Sequence, residues 1–184
     1  SLDTLANLPE GDPLRGRLKT DEVIMSGHSF GGYTTFASAG ATFDAAKVEE
    51  ICAEGCDDGT LAAFAAGVHD SRVVAAIPMA AGNSEMFGDA GLGAIPCPLL
   101  LMTGSVDNPA QNDEVWQGLS GNVAVRIDVE GGCHQLFGLG ACDKISDEDG
   151  FAIVDEYALG FARYHLLGDV SSSDLVAGVE SISE

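Results

Sequence analysis

The run Glu22-Val23-Ile24-Met25-Ser26-Gly27-His28-Ser29-Phe30-Gly31-Gly32-Tyr33-Thr34-Thr35-Phe36 constrains this chain most, because it carries an apolar strand through a glycine-flanked serine into a helix. Gly27, Ser29 and Gly31 spell G-x-S-x-G, a turn so tight that the positions two residues from the serine have little room for a side chain. Such a turn lifts the serine Oγ into the open. The helix starting near Phe30 aims its N–H groups and positive dipole end at the same place, where the Phe30 N–H would receive an oxyanion. Attack on a carbonyl is the chemistry this arrangement suits. Glycine is abundant here, with 24 residues, so the motif alone is weak and its context carries the weight. Val23 to Met25 read as a buried parallel strand and Tyr33 to Ala39 as a helix. The competing reading is a plain Gly-Ser turn between two elements.

A serine on such an elbow needs an acid and then a histidine, in that chain order. Ile95-Pro96-Cys97-Pro98 leads into the apolar strand Leu99-Leu100-Leu101-Met102-Thr103-Gly104, and Asp107 lies three residues beyond. Loops at the C-terminal ends of parallel strands are where open α/β sheets collect site residues. Val123 to Val129 alternates like a final strand, and Glu130-Gly131-Gly132-Cys133-His134 follows as a loop presenting an imidazole. The chain has four histidines. His28 adjoins the serine and is expected to point away from Oγ. His69 precedes the acid, and His165 sits near the end of the last helix, where a cation complements the dipole. His134 is therefore the candidate base. Asp107 is the candidate acid, with Asp113 and Asp128 as nearby alternatives, the first opening a helix to Leu119 and the second inside a strand.

The segments Leu14-Arg15-Gly16-Arg17-Leu18, Gly27 to Thr34, Ala81-Gly82-Asn83-Ser84-Glu85-Met86-Phe87-Gly88-Asp89 and the loops at Asp107 and His134 resemble secreted bacterial serine esterases. These are α/β-hydrolases of the dienelactone-hydrolase-like and platelet-activating-factor-acetylhydrolase-like kind. The resemblance runs from about Leu14 to Leu167 and implies Ser29 as nucleophile, Asp107 as acid, His134 as base and the Phe30 N–H as oxyanion donor. It implies a cofactor-free hydrolase of small-molecule or lipid carboxylic esters. The alternatives are an acyltransferase using the same three residues and an inactive hydrolase-derived binding protein. The implied fold is a mostly parallel sheet flanked by helices, in one departure from the family pattern: four strands ordinarily precede the nucleophile, and here 28 residues do. The N-terminal strands are thus expected to be missing from this chain, leaving the strand through Ile24 with an unpaired apolar edge. The sequence leaves open a truncated chain, an N-terminal half bound as a separate segment, and a self-paired assembly.

One domain over residues 1–184 is expected, since 46% hydrophobic residues suffice for a sizeable core. No apolar run is long enough to span a membrane. The 8 basic against 29 acidic residues leave a net charge of −21, which repels nucleic-acid backbones. The acidic residues are dispersed and read as solvated surface rather than as metal ligands. Of five cysteines, Cys133 and Cys142 bracket the candidate base and Cys52 and Cys56 lie four apart, leaving Cys97 over. Two disulfides at those spacings point to a secreted, periplasmic or cell-surface home; zinc is the rival reading, without the C-x-x-C pairs it favours. Residues 41–70 form a cap or a helical pair, and Met86 and Phe87 either line a substrate pocket or seal the sheet. The last helix covers Phe151 to Leu167, with Ile153, Val154, Tyr157, Phe161 and Tyr164 toward the sheet, and residues 168–184 form a polar tail.

Overall fold

Four parallel strands form the centre of the molecule in the computed structural model, which describes residues 1–53 and 55–177. They are β1 (Val23–His28), β2 (Val73–Met79), β3 (Leu99–Gly104) and β4 (Ala124–Val129), ordered β1-β2-β3-β4 across the sheet. Each crossover carries helix: α2 (Phe30–Ala39), α3 (Ala45–Cys52) and α4 (Asp58–Ala66) after β1, α5 (Gly88–Leu92) after β2, and α6 (Pro109–Gly118) after β3. A short α1 (Leu2–Ala6) precedes the sheet, and α7 (Asp147–Leu167) and α8 (Ser173–Ala177) follow it. The chain is a mixed α/β protein with an all-parallel sheet flanked by helices.

A parallel sheet covered on both faces should read as continuous hydrophobic runs, and β3 is such a run, buried at all six positions. Successive side chains leave a strand on opposite faces. Leu99 and Leu101 accordingly join the core under α2 with Phe36, Phe87 and Leu119, while Leu100 and Met102 join the core under α7 with Tyr157 and Phe161. The helix α2 comes very close to the sheet at Gly32, where a Cβ would lie 2.8 Å from that of Ala81. Any larger residue there would lift the helix and the serine at its start.

The ends of α7 illustrate local control. Ser146 accepts the Asp149 N–H at 3.1 Å and the acidic residues 147–149 sit in the positive first turn, while Gly168 closes the helix in the left-handed conformation. The helix consequently begins four residues before the expected Phe151. Its sheet-facing residues include Ile153, Val154, Tyr157 and Phe161 as expected, with Tyr164 half-buried. His165 departs from expectation: it packs on the ring of Phe161 at 4.4 Å, and burial pushes its pKa below the usual imidazole value, so the neutral form is favoured over a helix-end cation.

Residues 41–70 contain α3 and α4, with the Cys52–Cys56 disulfide tying the end of α3 to the connection before α4, Val48 buried and α4 holding no buried residue. The start of the expected polar tail is instead helical, since Val170–Ser172 form a 3₁₀ turn, α8 follows, and Leu175 and Val176 pack against the α7 side of the core. Residues 178–184 of that tail lie outside the described residues. Among the described residues β1 pairs only with β2, and no strand precedes it. The segment before β1 is largely exposed and is tied to the body by Arg72, whose guanidinium bridges Asp3 at 2.6 Å and forks onto Asp70. That guanidinium holds the Asp70 carboxyl down to about 2. Among the described residues no helix is long and apolar enough to cross a membrane.

Candidate active site

Ser29 sits between β1 and α2 with φ 58° and ψ −118°, a conformation that costs a non-glycine residue roughly 1 to 3 kcal/mol and persists only when its surroundings fix it. They do so through three main-chain hydrogen bonds. The Ser29 N–H donates to the Met79 carbonyl at 3.0 Å, and its own carbonyl accepts from Tyr33 at 3.1 Å and Gly82 at 3.3 Å. Gly27 is obligatory, because a Cβ there would stand 2.3 Å from the Gly31 carbonyl oxygen. Gly31 differs from the expectation of crowding, since a Cβ there would meet nothing within 4 Å; the tight contact falls one residue on, at Gly32. As the first residue of α2, Phe30 has an N–H with no intrahelical partner, and its side chain is 66% exposed beside the serine.

Two other strand ends converge on the serine. His134 Nε2 lies 2.9 Å from Ser29 Oγ, and His134 Nδ1 lies 2.9 Å from Asp107 Oδ2. The three side chains, 27 and 105 residues apart in sequence, form one hydrogen-bonded row with His134 in the middle. The Asp107 side chain is 16% exposed and that of His134 37%, so the carboxylate is the more deeply set of the two. Asp113 and Asp128 are engaged elsewhere: Arg126 donates to Asp113 at 2.7 Å, and the Thr103 hydroxyl donates to Asp128 at 2.6 Å.

Several residues without an obvious sequence signal hold the two loops. Asn112 is 6% exposed and donates from Nδ2 to the Asp107 carbonyl at 2.6 Å, which fixes the turn carrying the acid. The Ser105 hydroxyl accepts the Gly131 N–H at 2.8 Å, and Val106 donates to the Gly132 carbonyl at 3.1 Å, so acid loop and base loop are laced together. Contact between them is close at Gly104, where a Cβ would be 2.3 Å from the Gly132 oxygen. His134 itself opens a 3₁₀ turn, His134–Gly138, rather than lying in a flexible loop. The Cys133–Cys142 disulfide closes this segment, and the Cys133 N–H points at Cys142 Sγ at 3.0 Å. Cys97 is buried and unbridged, and burial pushes its thiol pKa up.

The His28 ring packs against that of His134, with centroids 4.6 Å apart. His69 lies beside Gly40, away from the row. Met86 and Phe87 are 5% and 1% exposed, which corrects the pocket-lining reading: both are core residues. Phe87 stacks behind Tyr33 and Phe43, at 5.1 and 5.0 Å between centroids, and it is those two rings that line an open groove of about 660 Å³ between α2 and α4. Among the described residues no three His, Cys, Asp or Glu side chains are grouped to hold a metal ion. In comparisons with known proteins, no family model and no curated protein matches this sequence.

Proposed function

We propose that this chain is a serine esterase with an α/β-hydrolase-type arrangement, resembling the secreted dienelactone-hydrolase-like and platelet-activating-factor-acetylhydrolase-like enzymes. The observation that carries the reading is the row Ser29–His134–Asp107, with 2.9 Å at each link, assembled from the C-terminal ends of three parallel strands. A serine hydroxyl is a weak nucleophile until a neighbouring base can take its proton. His134 Nε2 is at hydrogen-bond distance to do so. Asp107 accepts from Nδ1–H, which fixes the tautomer that leaves Nε2 with a lone pair and stabilises the imidazolium formed during attack.

The reaction then balances with the chain's own groups and water. Ser29 Oγ bonds to the ester carbonyl carbon as its proton passes to His134, and negative charge on the carbonyl oxygen is met by the Phe30 N–H at the start of α2. Collapse of the tetrahedral species breaks the bond to the alcohol, which leaves with the proton from His134. Water, deprotonated by His134, attacks the acyl-serine and releases the acid. Strain at Ser29 supports the same role, because it keeps Oγ clear of the backbone where substrate approaches. Two disulfides favour folding outside the cytoplasm, which fits the secreted character of the enzymes resembled.

Turnover of short-chain p-nitrophenyl esters tests the reading. Ser29→Ala should lower kcat by roughly 10³- to 10⁶-fold with the fold intact. A folded Ser29→Ala protein that keeps most of its activity refutes the mechanism.

A further inference from the structure

The proton transfer assigned to His134 leaves the neighbouring imidazole of His28 without a part, although the two rings lie 4.6 Å apart between centroids with their planes inclined at 51°. The far end of the base turn closes on His28 from another side. A Cβ at Gly138 would stand 2.9 Å from His28 Nδ1 and 3.1 Å from Cε1, so only glycine lets the main chain lie that close to the ring. Through Nε2 the ring makes no hydrogen bond, since that atom is buried with no partner among the described residues. What His28 does have is contact, at both ends, with the turn that carries the base.

Two hydrogen bonds through opposite nitrogens hold the His134 ring along one line, from Asp107 to Ser29. They do little to stop the ring rocking about that line. A second ring packed against it supplies the missing restraint, and His28 is anchored for the purpose at the end of β1, immediately before Ser29. We propose that His28 is a positioning residue for the Ser29–His134–Asp107 row, a support against the His134 ring that keeps Nε2 directed at Ser29 Oγ. This rests on the esterase reading and adds to it the reason for a histidine inside the elbow. The surroundings of the support also favour its uncharged form. Burial, and then the adjoining charge of His134, push the His28 pKa below the usual imidazole value against an opposing pull from Asp107 and a main-chain contact with His134.

The test compares His28→Ala, His28→Phe, Gly138→Ala and the paired His28→Ala/Gly138→Ala protein, all as the full chain. Ester kinetics and the rate of Ser29 modification by a fluorophosphonate are both read. His28→Ala should lower kcat and the modification rate by about 10- to 100-fold with KM nearly constant, since misplacement of a reacting group by about 1 Å costs on that order. His28→Phe, which restores a ring, should recover most of the loss. Gly138→Ala should be impaired by the push of its Cβ on the imidazole, and the paired variant should be no worse than His28→Ala because that Cβ takes the vacated space. Should His28→Ala fail to fold, the Gly138→Ala protein and its rescue by the pairing decide the matter. A folded His28→Ala protein with wild-type rates overturns the proposal, as does a Phe variant as impaired as the Ala variant or strictly additive losses in the pair. Failure of the wild-type Ser29 to react would overturn the esterase reading, and this proposal with it.

Discussion

Removing the Cys133–Cys142 disulfide should cost both stability and nucleophile reactivity, whereas removing Cys52–Cys56 should cost stability alone. The first bridge spans a sequence separation of 9 and encloses His134; the second spans 4 and ties the end of α3 to the connection before α4. Loop-closure entropy over ten and five residues gives about 2.7 and about 2.1 kcal/mol at 25 °C. For a chain of this size about 2.7 kcal/mol corresponds to a melting temperature lower by roughly 5 to 11 °C. The two losses are therefore similar in stability and differ in place. Without its bridge, the base turn keeps its lacing to the acid loop through Ser105 and Val106 but loses its covalent closure on the far side of His134. The assay is paired: thermal unfolding by circular dichroism, and the rate of Ser29 modification by a fluorophosphonate, for Cys133→Ser/Cys142→Ser and Cys52→Ser/Cys56→Ser. We expect the modification rate to fall about tenfold or more in the first protein and to stay within about twofold in the second, on the scale by which small misplacements slow reaction. An unchanged rate in folded Cys133→Ser/Cys142→Ser protein, or an equal loss in both, refutes the reasoning.

Two further outcomes follow from the loops and the buried imidazoles. Asn112→Ala should destabilise the protein by about 1 to 3 kcal/mol in urea unfolding, because the part-buried Asp107 carbonyl loses its partner; a loss below about 0.5 kcal/mol contradicts that role. His165 has a pKa lowered by burial, so as pH falls through about 6.5 the unfolded chain takes up a proton that the folded chain resists, and stability declines. Urea unfolding at about pH 7.5 and about pH 5.5 should show a smaller decline for His165→Gln than for the wild type, and an equal or larger one contradicts the assignment.

Where the sequence speaks locally, it reads well. The apolar run Leu99–Gly104 is strand β3 to the residue, and the elbow between β1 and α2 falls at Ser29. Chain order then singles out Asp107 and His134 as the candidates to meet Ser29, because loops after parallel strands end on one side of a sheet, and the three side chains do lie in one hydrogen-bonded row. Signals that were present but misread are also local. Ser146 with Asp149 three residues on is a helix start, yet the acidic run 147–149 looks like mere solvated surface. Pro109 at the first turn of α6 likewise marks a start four residues before Asp113.

The remainder depends on contacts between distant segments. Nothing near Asp113 in sequence says that Arg126 will claim it, and nothing near Asn112 says that it will hold the Asp107 carbonyl. Phe87 looks the same in sequence whether it faces substrate or lies behind Tyr33 and Phe43. The packing of His28 on His134 is of this kind too, since it appears only when residues 106 apart in sequence are brought side by side.

The central claim, that Ser29 is a nucleophile activated by His134, is tested most directly by treating the full chain with a fluorophosphonate and locating the adduct by intact mass and peptide mapping. One adduct is expected, on Ser29, absent from Ser29→Ala and formed at least about a hundredfold more slowly in His134→Ala. An unreactive wild-type protein, an adduct on another residue, or a His134→Ala protein that reacts at the wild-type rate would contradict it.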